Sequence, residues 1–143
     1  TPSSPETITT ANKMIQQSVN ALLGLLNYCH QSQSGNEKEQ TQVIQIIIDS
    51  LRELLKVASE GKKGLPQYQD INIPQELIIE IMRFLVNESS RWVERNYRTI
   101  DKTPGQNIEE DLWYAISDSF GWSLKVSSTS DTGLFFSEEI LPF

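Results

Sequence analysis

Apolar residues recur along this chain with the three-four spacing of helices rather than the alternation of strands. In the first segment Ile8, Ala11, Ile15, Leu22, Leu25 and Cys29 carry the stripe, and Val19, Leu23 and Leu26 widen it. The pattern predicts a helix from about Thr9 to His30, closed by Ser32, Ser34 and Gly35. It resumes at Ile44, Ile47, Ile48, Leu51, Leu54, Leu55 and Ala58 and stops at Gly61 and Gly64. The β-branched cluster Val43, Ile44, Ile46, Ile47, Ile48 would also suit a buried strand. Its flanks, Glu37-Lys38-Glu39-Gln40 and Leu51-Arg52-Glu53-Leu54-Leu55-Lys56, are strong helix formers and decide for helix. These two helices are expected to pair as an antiparallel hairpin.

A connection from Lys62 to Asn72 follows, with Leu65, Tyr68 and Ile71 apolar enough to dock across a bundle. Pro74 suits a first helical position, and Leu77, Ile78, Ile81, Leu85, Trp92 and Val93 define a third helix ending near Ile100. Thr103-Pro104-Gly105 breaks the chain again. Asn107 with Glu110 has the form of a capping box, so a fourth helix is expected from Ile108, with Ile108, Leu112, Ala115, Ile116, Ser119 and Phe120 on one face and fraying at Gly121. Leu124–Val126 and Leu134–Phe136 flank a Ser/Thr/Asp/Gly stretch, the pattern of a short hairpin, although each run is brief. The fold expected is therefore all-α: an antiparallel bundle of four principal helices with a short irregular or β-hairpin C-terminal extension. Residues 1–7, opening Thr1-Pro2-Ser3-Ser4-Pro5, read as the remnant of a linker, and residues 8–143 as a single helical-bundle domain.

At 143 residues the chain is long enough to bury roughly two-thirds of its unfolded surface without a metal or a disulfide. Its 19 acidic and 12 basic side chains leave a formal charge of −7, which opposes non-specific nucleic-acid binding. A winged helix would also need shorter helices and a basic surface. No apolar run is long enough for a membrane span, and a single cysteine makes no intrachain disulfide. A cytoplasmic protein is expected.

Catalytic vocabulary is sparse. Cys29 and His30 are adjacent, and neighbours on a helix point about 100° apart, so they do not converge as a nucleophile and base. There is no second His, no Cys-x-x-Cys and no phosphate loop; Gly61-Lys62-Lys63-Gly64 reads as a helix terminator. Glu109, Glu110 and Asp111 suit the positive end of a helix dipole. Asn87-Glu88-Ser89 matches a glycosylation sequon but falls inside a helix. No enzyme activity, metal or cofactor is expected.

One constellation stands apart from the acidic average. Arg91, Arg95, Arg98 and Lys102 recur at helical spacing beside Trp92, a pattern suited to acidic or phosphorylated peptides. Glu88, Glu94 and Asp101 are near enough to offset part of that charge. Aromatic weight also gathers towards the C-terminus in Trp113, Tyr114, Phe120, Trp122, Phe135, Phe136 and Phe143, with Phe120 and part of the tail expected to close the bundle and Trp113, Trp122 or Phe136 available as anchors. The function expected is a non-catalytic protein–protein interaction module. A groove between the third and fourth helices would take an amphipathic helix or acidic peptide of a partner on Arg91, Trp92, Arg95, Arg98, Lys102 and Trp113. The alternative is recognition of an anionic ligand, phosphopeptide or acidic lipid headgroup, by the same basic stripe.

Overall fold

The computed structural model describes residues 5–32, 37–62, 72–100 and 109–127. They form four helices: α1 (Pro5–Gln31), α2 (Glu37–Lys62), α3 (Gln75–Ile100) and α4 (Glu110–Val126), with no strand among the described residues. The architecture is the four-helix bundle that the periodicity predicts. Residues 5–7, read above as linker, form the first turn of α1. Pro74 lies just outside α3 and caps it: its carbonyl accepts the N–H of Leu77 at 3.0 Å and of Ile78 at 3.0 Å.

Helix α4 departs from expectation at both ends. It starts at Glu110 rather than Ile108, and it runs through Gly121 to Val126, so Leu124–Val126 is helical and not a strand. A mid-helix glycine costs about 1 kcal/mol. Buried Ile116, Ser119, Ser123 and Val126 on either side of Gly121 hold the helix against the bundle regardless. Leu134–Phe136, Asn107, Ile108, Ser34, Gly35 and the docking residues Leu65, Tyr68 and Ile71 lie outside the described residues.

The core is built from Val19, Leu23 and Leu26 of α1, Ile44, Ile47, Ile48, Leu51, Leu55 and Ala58 of α2, Ile78, Ile81, Met82 and Leu85 of α3, and Leu112, Ala115 and Ile116 of α4. In α1 the residues expected only to widen the stripe are its centre, whereas Leu25 is 52% exposed; in α3 Val93 is likewise turned outward. The inner face of α4 carries the small residues Ala115, Ser119 and Ser123, all buried, which lets a neighbouring backbone approach closely. The most extensive packing in the bundle is accordingly α2 on α4.

Side-chain bonds fix the helix directions. Gln40 Nε2 donates to the Cys29 carbonyl, so α1 and α2 run antiparallel. Arg52 pairs with Asp118 and Thr41 bonds Glu109, so α2 and α4 run parallel. Arg95 meets Glu109 while Gln75 Nε2 donates to the Val126 carbonyl at 3.3 Å, so α3 and α4 run antiparallel. Asn12 Oδ1 accepts the Asn72 backbone N–H at 2.9 Å and His30 meets Glu88, so α1 and α3 run parallel. Two hairpins, α1–α2 and α3–α4, thus pack with parallel neighbours across their seam. The backbone contact between α1 and α3 is slight.

Candidate functional site

At the end of the bundle where α1 and α3 finish and α2 and α4 begin, polar side chains converge. Glu109, the residue before α4, adopts φ 55° and ψ 46°, a left-handed conformation, and its side chain does not cap its own helix. It reaches α3 instead. Arg95 donates to the Glu109 carboxylate from Nε at 2.9 Å and from a terminal nitrogen at 2.7 Å, and Asn96 Nδ2 donates to it at 2.8 Å. The Glu109 carbonyl accepts the indole N–H of Trp92 at 2.9 Å. Above this junction the rings of Trp92 and Trp113 lie 4.7 Å apart, tilted by 39°. Burial acts to raise the Glu109 carboxyl. The bonds from Arg95 and Asn96, the Arg95 charge and the Thr41 hydrogen bond outweigh it and hold the group below the ordinary glutamate range.

The predicted capping box does not describe this start: Glu109 rather than Asn107 precedes the helix, and Glu110 and Asp111 remain as the acidic first turn. Trp92 and Arg95 both bond Glu109. Both are occupied in locking α3 to α4.

The second cluster centres on Glu88, which is 2% exposed although it carries a carboxylate. His30 Nε2 pairs with its Oε1, and a terminal nitrogen of Arg91 donates to the same oxygen at 3.2 Å. A buried charge requires such partners. The nearby Cys29 thiol is pushed up by burial and then by the Glu88 charge, away from the thiolate form that a nucleophile needs. Glu88 and Asn96 were both missed by motif reading, yet a signal existed: Ile81, Leu85, Glu88, Trp92 and Asn96 share the inward register of α3, and a polar residue at an apolar position demands a partner.

Between the two clusters lies an open groove of about 450 Å³, lined by His30, Gln40, Thr41, Ile44, Arg91, Glu94 and Arg95. It follows from the slight approach of α1 to α3, and it is bounded by α1, α2 and α3. The seam between α3 and α4, where a groove was expected, is bridged at this end by Glu109 and the two tryptophans. Of the anticipated binding residues, Arg91 and Arg95 line the groove, Trp92 is partly buried, and Trp113 is 37% exposed outside it. Lys102 and the Arg98 side chain lie outside the described residues. Among those residues no group of three or more His, Cys, Asp or Glu side chains could hold a metal ion, and no helix is long and apolar enough to cross a membrane. Compared with known protein families, curated proteins and solved structures, the chain matches none.

Proposed function

We propose that the chain is a non-catalytic protein–protein interaction module whose α1/α2/α3 groove takes a helix or extended segment of a partner. The groove itself carries this reading. Its floor includes the side chain of Ile44, and its α3 wall carries Arg91 and Glu94, both exposed. A groove lined almost wholly by polar and charged side chains orients a partner through complementary charges. A partner segment fitting it places an acidic residue at Arg91 and a basic one at Glu94.

The competing reading, an anionic ligand held by the stripe, has less support, because Arg91 already faces Glu88 and Arg95 already faces Glu109. A phosphate held by both arginines at once would compete with two carboxylates, whereas a single acidic residue of a partner needs only the outward side of Arg91, whose side chain is 44% exposed. Selection of a displayed random-peptide library on the intact chain tests the proposal, with Arg91→Glu and Glu94→Arg as counter-targets. Selected peptides are expected to lose at least about tenfold in affinity on either variant, about 1.4 kcal/mol. Equal binding to wild type and both variants would remove the groove as the site. Binding of an inositol phosphate or phosphopeptide with steep salt dependence would favour the anionic reading instead.

A further inference from the structure

His30 and Glu88 stand where the helix patterns call for apolar side chains. In α1 the inward row Val19, Leu23, Leu26 continues at helical spacing to His30, and in α3 the row Ile78, Ile81, Leu85 continues to Glu88. Beyond Leu26 and Leu85 the core is therefore closed by an ionisable pair. The Glu88 side chain is 2% exposed and that of His30 16%, and His30 Nε2 pairs with Glu88 Oε1. A buried ion pair is often no more stabilising than apolar residues of similar volume. Two apolar residues would serve stability as well; what they would lack is a response to protons.

We propose that His30 and Glu88 form a proton-controlled latch, which holds the end of α1 against α3 in acid and loosens as His30 becomes neutral. The backbone contact between α1 and α3 is slight, so side chains carry that seam: Asn12 with Asn72 at one end, His30 with Glu88 at the other. The groups around His30 set the direction. From α3, Glu88 and Arg91 face it, with Glu94 and Arg95 farther along the same groove. In that groove α2 presents Gln40, Thr41 and Ile44, none of which titrates; Cys29 is the neighbour on α1, and at the start of α4 Glu109 is turned to Arg95. Of the two partners of Glu88, Arg91 belongs to α3 itself, at i,i+3, and cannot tie one helix to the other. The His30 bond does cross the seam. It is a charge-assisted bond while the imidazole carries its proton and a weaker, neutral donor's bond once the proton is gone. His30 is the one histidine of the chain, and histidine is the side chain whose ordinary charge change falls between about pH 5 and 8. The latch is independent of what the groove binds.

Backbone amide exchange in the last two turns of α1, residues 25–31, reads the latch in the full chain. His30→Gln supplies the comparison, because glutamine donates a hydrogen bond and never carries a charge. Wild type and variant are compared at the same pH, so the intrinsic pH dependence of exchange cancels. At about pH 5.5 the variant is expected to exchange about fivefold faster than wild type, and by about pH 8 the two should converge. Glu88→Gln, which keeps the size and removes the charge, should also exchange faster than wild type in acid. Circular dichroism confirms that each variant folds. Wild-type protection in these turns, taken against the unfolded chain at each pH, should fall over the same range whatever the variants do. Equal exchange of wild type and both variants in acid would overturn the proposal. A ratio that stays constant from about pH 5.5 to 8 would overturn it too, since a purely structural contact does not follow the proton.

Discussion

Glu109 adopts φ 55° although it bears a side chain, and a left-handed backbone costs an L-residue about 1–2 kcal/mol. Its carboxylate offsets that, since hydrogen bonds to charged groups contribute about 1.5–3 kcal/mol each and it accepts from Arg95 and Asn96. A group whose folded pKa is lowered stabilises the fold above its unfolded pKa and loses that contribution as pH falls through the folded value. Glu109→Gln should therefore melt at a lower temperature than wild type at pH 7, and the gap should narrow as pH falls below the ordinary glutamate value of about 4.3. Thermal melts across that range check it; a gap independent of pH would mean that the charge contributes nothing. Little of this residue's role was readable from the chain, because its partner Arg95 is distant in sequence and a helix-start acid is usually a dipole complement. The Glu88–His30 pair, spanning two helices, was hidden for the same reason. Arg91 and Arg95 were found by spacing alone, but spacing does not say which of them the fold itself consumes.

Gly121 lies inside α4 with nothing within 4 Å of where a Cβ would stand. An alanine there has room and lacks the backbone freedom that glycine loses on folding. Gly121→Ala is expected to stabilise the protein by about 0.5–1 kcal/mol, measured by denaturant titration. A destabilising outcome would contradict a helix that continues through this position. The existence and number of the helices were legible because each inner stripe repeats over several turns, most plainly in α2, where Ile44, Ile47, Ile48, Leu51 and Leu55 are all buried. Orientation was legible only where one face is apolar. In α1 both Val19-Leu23-Leu26 and the outward row through Leu25 satisfy helical periodicity, so the pattern could not say which faces the core. The end of α4 was misread because glycine weakens a helix locally, whereas burial of Ser123 and Val126 acts through tertiary packing that lies beyond any window of sequence.

Across the whole molecule, α2 is the element that binds the two halves, packed on α1 on one side and on α4 on the other. A chain beginning at Asn72 retains α3 and α4 but exposes Leu112, Ile116, Ile81 and Leu85 to water, each 1% or less exposed in the intact bundle. Such a fragment is expected to lose the cooperative thermal transition of the full chain, followed by circular dichroism; a sharp melt retained by the fragment would show that the α3–α4 hairpin is an independent unit. The order of neighbours also sets a sequence in time. Contacts within each hairpin close short loops, but the α2–α4 interface joins residues such as Arg52 and Asp118 across the entire α3 segment. Loop-closure entropy must be met before that interface, the most extensive in the bundle, returns any free energy. The α2–α4 interface is therefore expected to close late. This bundle should fold more slowly than one in which every helix packs beside its sequence neighbour, with the rate-limiting barrier lying at the closing of the α2–α4 interface.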